Sequence, residues 1–357
     1  MKLSKKEIKY LSSSFQAQSP MSIFANIEDT PDGSEYQSLI AKGIIIGDKY
    51  EQQALDLLML LAKPERCARF IHQNSFFLVE KYTYRVGNQL ILAENNEGVL
   101  EFSKLADISE LSLKFSELFG MSRIVTSDIQ EFFTPGEILV VLAIVDILRK
   151  RQLTSYVKLP VSLSPLTVDD IQAEFAGAYE NGLVEIFLKN YKQTAPEPQQ
   201  LNAYLDSLIK KNVVSNRDGF ALNGEYAKFA QNFLIPESIT MYEAMDLQEN
   251  GEVAVMGRVV ITAGLHEIVS FLFDGSLVEF NTISAGQLLT NIEDFMSCPE
   301  MKQVISTTTT APTPSPSVPA MAQPAAVAQP MKTADWVCRC GISNTGNFCA
   351  SCGNPKP

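Results

Sequence analysis

Histidine, tryptophan and long apolar runs are what this chain has least of. Two histidines, His72 and His266, and one tryptophan, Trp336, occur in 357 residues. So few imidazoles leave little material for histidine-based acid–base catalysis. The longest uninterrupted apolar run, Ile138–Val145, is closed by Asp146. A membrane-spanning helix needs about 20 such residues, so no span is predicted. The N-terminus, MKLSKKEIKYLSSSF, alternates charge with apolar groups and lacks the apolar core of a signal peptide. These features predict a soluble, cytoplasmic protein. Phosphate-cradling glycine loops are missing as well: Gly43-Ile-Ile-Ile-Gly47 has neither the spacing nor the lysine.

Outside the last 20 residues there are only two cysteines, Cys67 and Cys298. Cys67 reads as a core or strand residue and Cys298, ahead of Pro299, as the end of a helix; neither reads as a nucleophile. Basic residues are also scarce in the body. Residues 1–300 carry 25 basic and 40 acidic residues, a formal charge of -15, while residues 301–357 carry four and one, or +3. An acidic body repels phosphate backbones, which makes it a poor nucleic-acid binder.

What is present divides the chain into zones. Hydrophobic residues at 46% predict a mostly globular protein, long enough for more than one core. Residues 301–335 depart from this. They are rich in Thr, Ser, Pro and Ala, hold almost no charge and cannot bury enough surface to offset their ordering entropy. This stretch predicts a flexible linker ahead of a compact module at 336–357.

The body predicts an α+β fold made of a duplicated unit with pseudo-two-fold symmetry. Leu3–Ile8 matches Leu166–Ile171, each with a Ser/Thr followed by an acid three residues on, the capping-box pattern. Ser38–Ile45 matches Ser207–Val214, each a helix ended by Gly or Asn. Leu61–Glu65 matches Phe233–Glu237, and Val99–Phe102 matches Leu277–Phe280. Leu111 and Leu118 match Leu289 and Met296 in a closing helix. In the first copy, helices are predicted near 36–43 and 50–63. Strands follow at 67–73, 75–86, 89–94 and 99–105, and a helix at 108–119 closes the unit. The second copy repeats this, with strands near 238–245, 252–262, 266–273 and 276–283. Thr134-Pro135-Gly136-Glu137 starts a helix to about Arg151 whose all-round apolar run predicts burial. The resulting division is 1–120, a connecting helix and linker at 121–163, 164–300, the linker 301–335 and the module 336–357. The sheets are either two, or one shared by both copies. Glu101 and Glu279 are equivalent in this scheme; strand alternation turns them outward rather than into a catalytic pair. The two histidines fall in strand zones and read as structural.

Short helix, Leu-x-x-x-Gly-Ile-Ile, a second helix ending Leu-Ala-x-Pro-Glu and a long strand meander: this order resembles the EspG family, secretion-associated chaperones of type VII export. The likeness rests on Ala41–Ile46, Leu55–Glu65, Tyr82–Glu94 and Val99–Leu118. It implies a pseudo-symmetric α+β fold, a non-enzymatic role and a protein partner, which for such a chaperone is a helical export substrate.

The sharpest motif is Trp336-Val-Cys338-Arg-Cys340, followed after eight residues by Cys349-Ala-Ser-Cys352. Cys-x-Cys and Cys-x-x-Cys supply four thiolates, the donor set of a tetrahedral structural zinc site, with iron the next metal. A unit this small cannot fold by burial alone, so a bound Zn2+ is expected to supply its stability. The segment resembles the zinc ribbons at bacterial protein tails and the Ran-binding-protein type of zinc finger. Trp336 and Asn344 occupy the Trp and Asn positions of the latter; in some such fingers the Trp stacks on an RNA base, while others bind proteins. Trp336, Arg339 and Asn344 are therefore candidate partner-binding residues, with packing on the knuckle and turn capping as the plain alternatives. The functional expectation is a non-enzymatic protein-interaction factor with a tethered zinc ribbon. The alternative is a nucleic-acid-associated regulator acting through the ribbon.

Overall fold

A computed structural model describes residues 1–300 except 18, 26, 121, 158, 160–163, 178–181 and 264–266, together with 336–337 and 343–344. The chain separates into two compact units, Met1–Thr310 and Ala311–Pro357. In the first, β1 (Lys2–Ser4), α1 (Lys5–Leu11), α2 (Glu35–Ala41), the hairpin β2 (Ile45–Ile46) and β3 (Lys49–Tyr50), and α3 (Gln52–Ala62) come first. The meander β4 (Arg66–Asn74), β5 (Leu78–Val86), β6 (Gln89–Asn96) and β7 (Val99–Leu105) follows, then α4 (Ser109–Phe119). The same order then recurs. It runs through β8 (Gln130–Phe133), α5 (Pro135–Tyr156), α6 (Val168–Ala176), α7 (Leu183–Tyr191) and α8 (Pro198–Lys210). After these come β9 (Val214–Asn216), β10 (Phe220–Leu222) and α9 (Gly224–Asn232). Last are β11 (Pro236–Leu247), β12 (Val253–Ala263), β13 (Glu267–Phe273), β14 (Val278–Thr282) and α10 (Ala285–Met296).

One antiparallel sheet of ten strands unites them, in the order β1-β7-β6-β5-β4-β11-β12-β13-β14-β8. This decides between one sheet and two. The strands run outward from the central β4–β11 pair in mirrored order, and Phe70 faces Tyr242 across it. The capped turns repeat in detail. Gly43 and Asn212 both take positive φ, 71° and 58°, the left-handed C-cap that these residue types tolerate.

Leu3–Ile8 and Leu166–Ile171 do open capped helices, at Ser4 and Thr167, but they do not occupy equivalent places. The place of β1–α1 in the second half is taken by β8–α5. β1 pairs with β7, placing Lys2 opposite Glu101, and β8 pairs with β14, placing Phe132 opposite Glu279. Both following helices are capped by a Ser/Thr–Glu box, Ser4–Glu7 and Thr134–Glu137. Glu7 accepts hydrogen bonds from Ser38 and Lys42, and Glu137 accepts them from Ser207 and Lys211. The segment 121–163, read from sequence as a connector, thus supplies an edge strand and a core helix. The Thr167 box starts α6 instead, the first of two extra helices. The misassignment arose because capping boxes open several helices, α1, α5, α6, α8 and α10, and so do not say which helix they open.

Side chains alternate between the two faces of the sheet. One face carries Ala68, Phe70, Tyr242 and Ala244 and is covered by α4 and α10. On the opposite face, α1–α3 cover Cys67, Tyr84, Ile91 and Phe102, and α5–α9 cover Val259, Ile261, Phe271 and Phe280. Ile138–Val145 is buried throughout, as its all-round apolar pattern predicts. Among the described residues no helix is long and apolar enough to cross a membrane.

Candidate functional site

Two helical layers share one face of the sheet, and between them the sheet is only partly covered. Rows of side chains cross β5, β4, β11 and β12 here. The register sets them as Tyr82, Arg69, Glu243, Gly257, then Glu80, Ile71, Met241, Val259, then Leu78, Gln73, Ile239, Ile261. Above these lies a row of Tyr84, Cys67, Met245, Val255. Because the helical layers cover opposite corners, the open strip runs diagonally. It is 63% exposed at Leu78 on one end and 56% at Val255 on the other. Three strand spacings and six residues of strand give a diagonal of roughly 25 Å, the length of an α-helix of about 16 residues.

The strip's centre is a fixed ion cluster. Arg69 donates to Glu80 Oε1 through Nη2 at 2.8 Å and reaches Glu243 at 3.6 Å. Tyr82 donates to the same Glu80 oxygen at 2.6 Å, and Asn95 donates to the other at 3.1 Å. Burial alone would push the Glu80 carboxyl up, but the hydrogen bonds from Tyr82, Arg69 and Asn95 outweigh it and hold it below its ordinary range. Burial, with Glu80 accepting its proton, pushes the Tyr82 phenol up. Glu80 therefore stays ionised and fully engaged at neutral pH, a poor base and a good fixed charge. Ile71, Ile239, Met241 and Met245 give the apolar floor around it. Methionine's flexible thioether suits a surface that must fit a partner's ridges.

At the Leu78 end, the β4–β5 turn raises a second apolar feature. Asn74 Oδ1 accepts from the amides of Phe76 and Phe77 at 2.8 and 2.9 Å, fixing the turn. Phe76 is thereby held out at 93% exposure, beside Phe77 and Leu78. Ile235, leading into β11, is exposed too. The predicted strand at 75–86 begins three residues later than expected because this turn takes its first residues.

The residues singled out from sequence lie elsewhere. Cys338, Arg339, Cys340, Cys349 and Cys352 fall outside the described residues, as does His266. Trp336 and Asn344 are described as strand residues facing each other, since β15 (Trp336–Val337) pairs antiparallel with β16 (Ser343–Asn344). Cys67 and Cys298 are free, buried thiols, and burial pushes both pKa values up, as expected of core residues rather than nucleophiles. His72 is buried, with Nδ1 2.8 Å from the Thr240 hydroxyl, and desolvation lowers its pKa. Glu101 pairs with Lys2 at 3.1 Å and Glu279 with Arg258 at 3.2 Å, far apart towards opposite edges of the sheet. Sequence reasoning missed Arg69, Glu80 and Glu243. Their one signal was a charged residue on strands otherwise rich in apolar groups, and only the register shows that they converge.

No family model matches this chain, and no curated protein matches it in sequence. Among solved structures, it is similar to the Mycobacterium tuberculosis type VII secretion system chaperone EspG5, determined in complex with the PE25-PPE41 dimer. The similarity has a TM-score of 0.44 and 8% identity, over 84% of this chain and 96% of that one.

Proposed function

We propose that the body is a non-enzymatic, cytoplasmic, chaperone-like binding protein that holds a helical segment of a protein partner along the diagonal strip. The observation that carries this is the strip itself: an open apolar floor about one helix long, interrupted by a pinned Arg69–Glu80–Glu243 cluster. The floor supplies apolar burial, and the cluster supplies polar contacts that fix register and direction. An export substrate of type VII secretion is the partner that the family resemblance in the sequence suggests. The two halves are read as copies of one unit, and the strip is the seam between them.

A photo-crosslinking residue at Met241, on the strip, is compared in cells with one at Leu113, which is exposed on α4 across the sheet. We expect one discrete protein adduct from position 241 that is lost with Arg69→Glu. Equal adducts from both positions would sink the proposal.

For the tail we propose that Cys338, Cys340, Cys349 and Cys352 hold one Zn2+ and make the module a docking tag, with Trp336, Arg339 and Asn344 as contact residues. The Cys-x-Cys and Cys-x-x-Cys spacing supports this, as does the β15–β16 pairing, which flanks the first cysteine pair in sequence. Metal analysis of purified protein should give about one zinc per chain, and none in a Cys349→Ser, Cys352→Ser variant. A metal content unchanged by that variant would end the reading. RNA binding by the purified module at low salt would favour the nucleic-acid alternative.

A further inference from the structure

One acidic side chain in the diagonal strip is only loosely held. Arg69 donates to Glu80 Oε1 through both Nε and Nη2, at 3.2 and 2.8 Å, and its guanidinium lies 5.8 Å from the centre of the Tyr82 ring. Tyr82 and Asn95 take up the rest of the Glu80 carboxylate. Glu243 stands beside this group, with Arg69 Nη1 3.6 Å from its Oε1, beyond hydrogen-bond distance. It accepts no hydrogen bond among the described residues, and its side chain is still 21% exposed. One arginine against two glutamates leaves one negative charge over, and the unused acceptor capacity is at Glu243.

A gap adjoins this carboxylate. One residue along from the central Phe70–Tyr242 pair, Ile71 faces Glu80 on β5, and Glu243 faces Gly257 on β12. The first half fills both places, and the second leaves one of them without a side chain. Neither space nor backbone requires this glycine. A Cβ added there would meet Glu243 Cβ at 3.5 Å and Glu243 Oε2 at 4.0 Å, ordinary contacts, and its φ lies outside the left-handed region. A glycine inside a strand weakens it and often marks a place where another backbone approaches closely. β13 pairs with β12 only from Arg258 onward, so among the described residues no further strand closes the notch on its outer side.

We propose, on the reading of the strip as the binding surface, that Glu243 and the Gly257 notch receive one basic side chain, a lysine or arginine, from the apolar face of the bound helix. The helix backbone comes closest to the sheet over Gly257. Its apolar side chains lie on Ile71, Met241 and Met245, and its basic group completes Glu243 as Arg69 completes Glu80. Once the helix covers the strip, this charge-assisted bond discriminates between partners. A neutral residue at that position leaves Glu243 covered without a donor, and an acidic one is repelled. The excess of 40 acidic over 25 basic residues in 1–300 draws such a basic helix towards the body.

The test uses the full chain in cells with p-benzoylphenylalanine at position 241, the position that also tests the strip. Glu243→Gln keeps the side chain's size and removes its charge. It should leave the melting temperature unchanged and lower the recovered adduct by about tenfold, the effect of one lost charge pair. Gly257→Ala fills the notch with a methyl group that the fold has room for. It should keep or raise the melting temperature and lower the adduct severalfold. Mass spectrometry of the parent adduct locates the attached partner residue, and a lysine or arginine should lie within about one helical turn of it. Changing that residue to glutamate should abolish the adduct of the parent chain and restore that of Glu243→Lys. A Glu243 that merely steadies Arg69 would give no such rescue. A parent-level adduct from Glu243→Gln or from Gly257→Ala, or no rescue by the charge swap, would overturn the proposal and leave the strip standing. No discrete adduct from the parent chain would remove the strip as a binding surface, and the basic contact with it.

Discussion

The first helix after each edge strand sets the two halves of the molecule side by side. α1 and α5 start the same way, from a Ser/Thr–Glu capping box whose carboxylate also takes a serine and a lysine from the next helix. There the likeness stops. α1 has seven residues and buries Glu7, Ile8 and Leu11. α5 has 22 residues, and from Glu137 to Asp146 every one is buried, because α6–α9 wrap it. The start of each helix is set by the sheet edge it leaves, and its length and composition by what covers it. Sequence character thus reports coverage, while a cap marks only where a helix starts.

The sharpest way to break this comparison is at Asp146, a group that full wrapping requires and α1 has no use for. Asp146 pairs with Arg149 and also accepts from the Val184 amide at 3.1 Å, and Arg149 donates to Leu234 O at 2.7 Å. Both side chains are under a tenth exposed. Burial pushes the Asp146 carboxyl up and the Arg149 guanidinium down, each against the other's attraction. Asp146→Ala leaves a buried cation uncompensated and should cost about 3–5 kcal/mol in urea unfolding. The double variant with Arg149→Met should recover much of that. A single-variant loss below about 1 kcal/mol would mean that the second half does not depend on this pair.

A smaller and more discriminating test asks whether the halves respond equally where they are built equally. Glu7→Ala and Glu137→Ala each remove a cap and a lysine partner, so each should cost about 1–3 kcal/mol. The two losses should agree to within about 1 kcal/mol. For Glu7, burial raises the carboxyl pKa, but hydrogen bonds from Lys42, the Ser4 amide and Ser38 outweigh it, and the net shift is downward. Glu137 is lowered in the same way by Ser207, the Thr134 amide and Lys211. A lowered carboxyl contributes stability above its unfolded value of 4.5, and that stability is lost as pH falls through the folded value. The variants should therefore lose stability less steeply than the parent below about pH 4.5. Parallel pH curves for parent and variants would remove these carboxylates from the account.

How much of this was legible in the sequence follows the same division. The eight central strands could be placed to within three residues because their alternation and turn residues are local signals. The Gly43 and Asn212 caps could be placed for the same reason. The buried run at Ile138–Val145 declared its own coverage. The short edge strands β1 and β8 could not be found, since three or four residues carry no period. Nor could the strip be found: Arg69, Glu80 and Glu243 are distant in sequence and meet only through the β5–β4–β11 register. Phe76 and Phe77 read as strand from composition, whereas the Asn74 side chain fixes a turn that holds Phe76 out to solvent and leaves Phe77 against His72.

That turn is where the halves differ most in surface chemistry, and it gives the smallest expected effect on stability. The β4–β5 turn displays Phe76, Phe77 and Leu78, while its counterpart between β11 and β12 reads Gln248-Glu249-Asn250-Gly251-Glu252. One tip is apolar and the other acidic, on strands that otherwise mirror each other. Core burial does not account for Phe76, which is 93% exposed and contributes almost nothing by packing. Phe76→Ala should therefore change unfolding stability by no more than about 0.5 kcal/mol. Lone exposed apolar residues are ordinary, but this one lies two residues before Leu78, the exposed end of the open strip. The same variant should weaken crosslinking from position 241 severalfold, because the partner loses an aromatic anchor at the end of the strip. Replacing Glu249 on the acidic tip with Ala should leave crosslinking unchanged. Loss of stability without loss of crosslinking would make the apolar tip part of the core, and the two halves would then differ in packing rather than in what they bind.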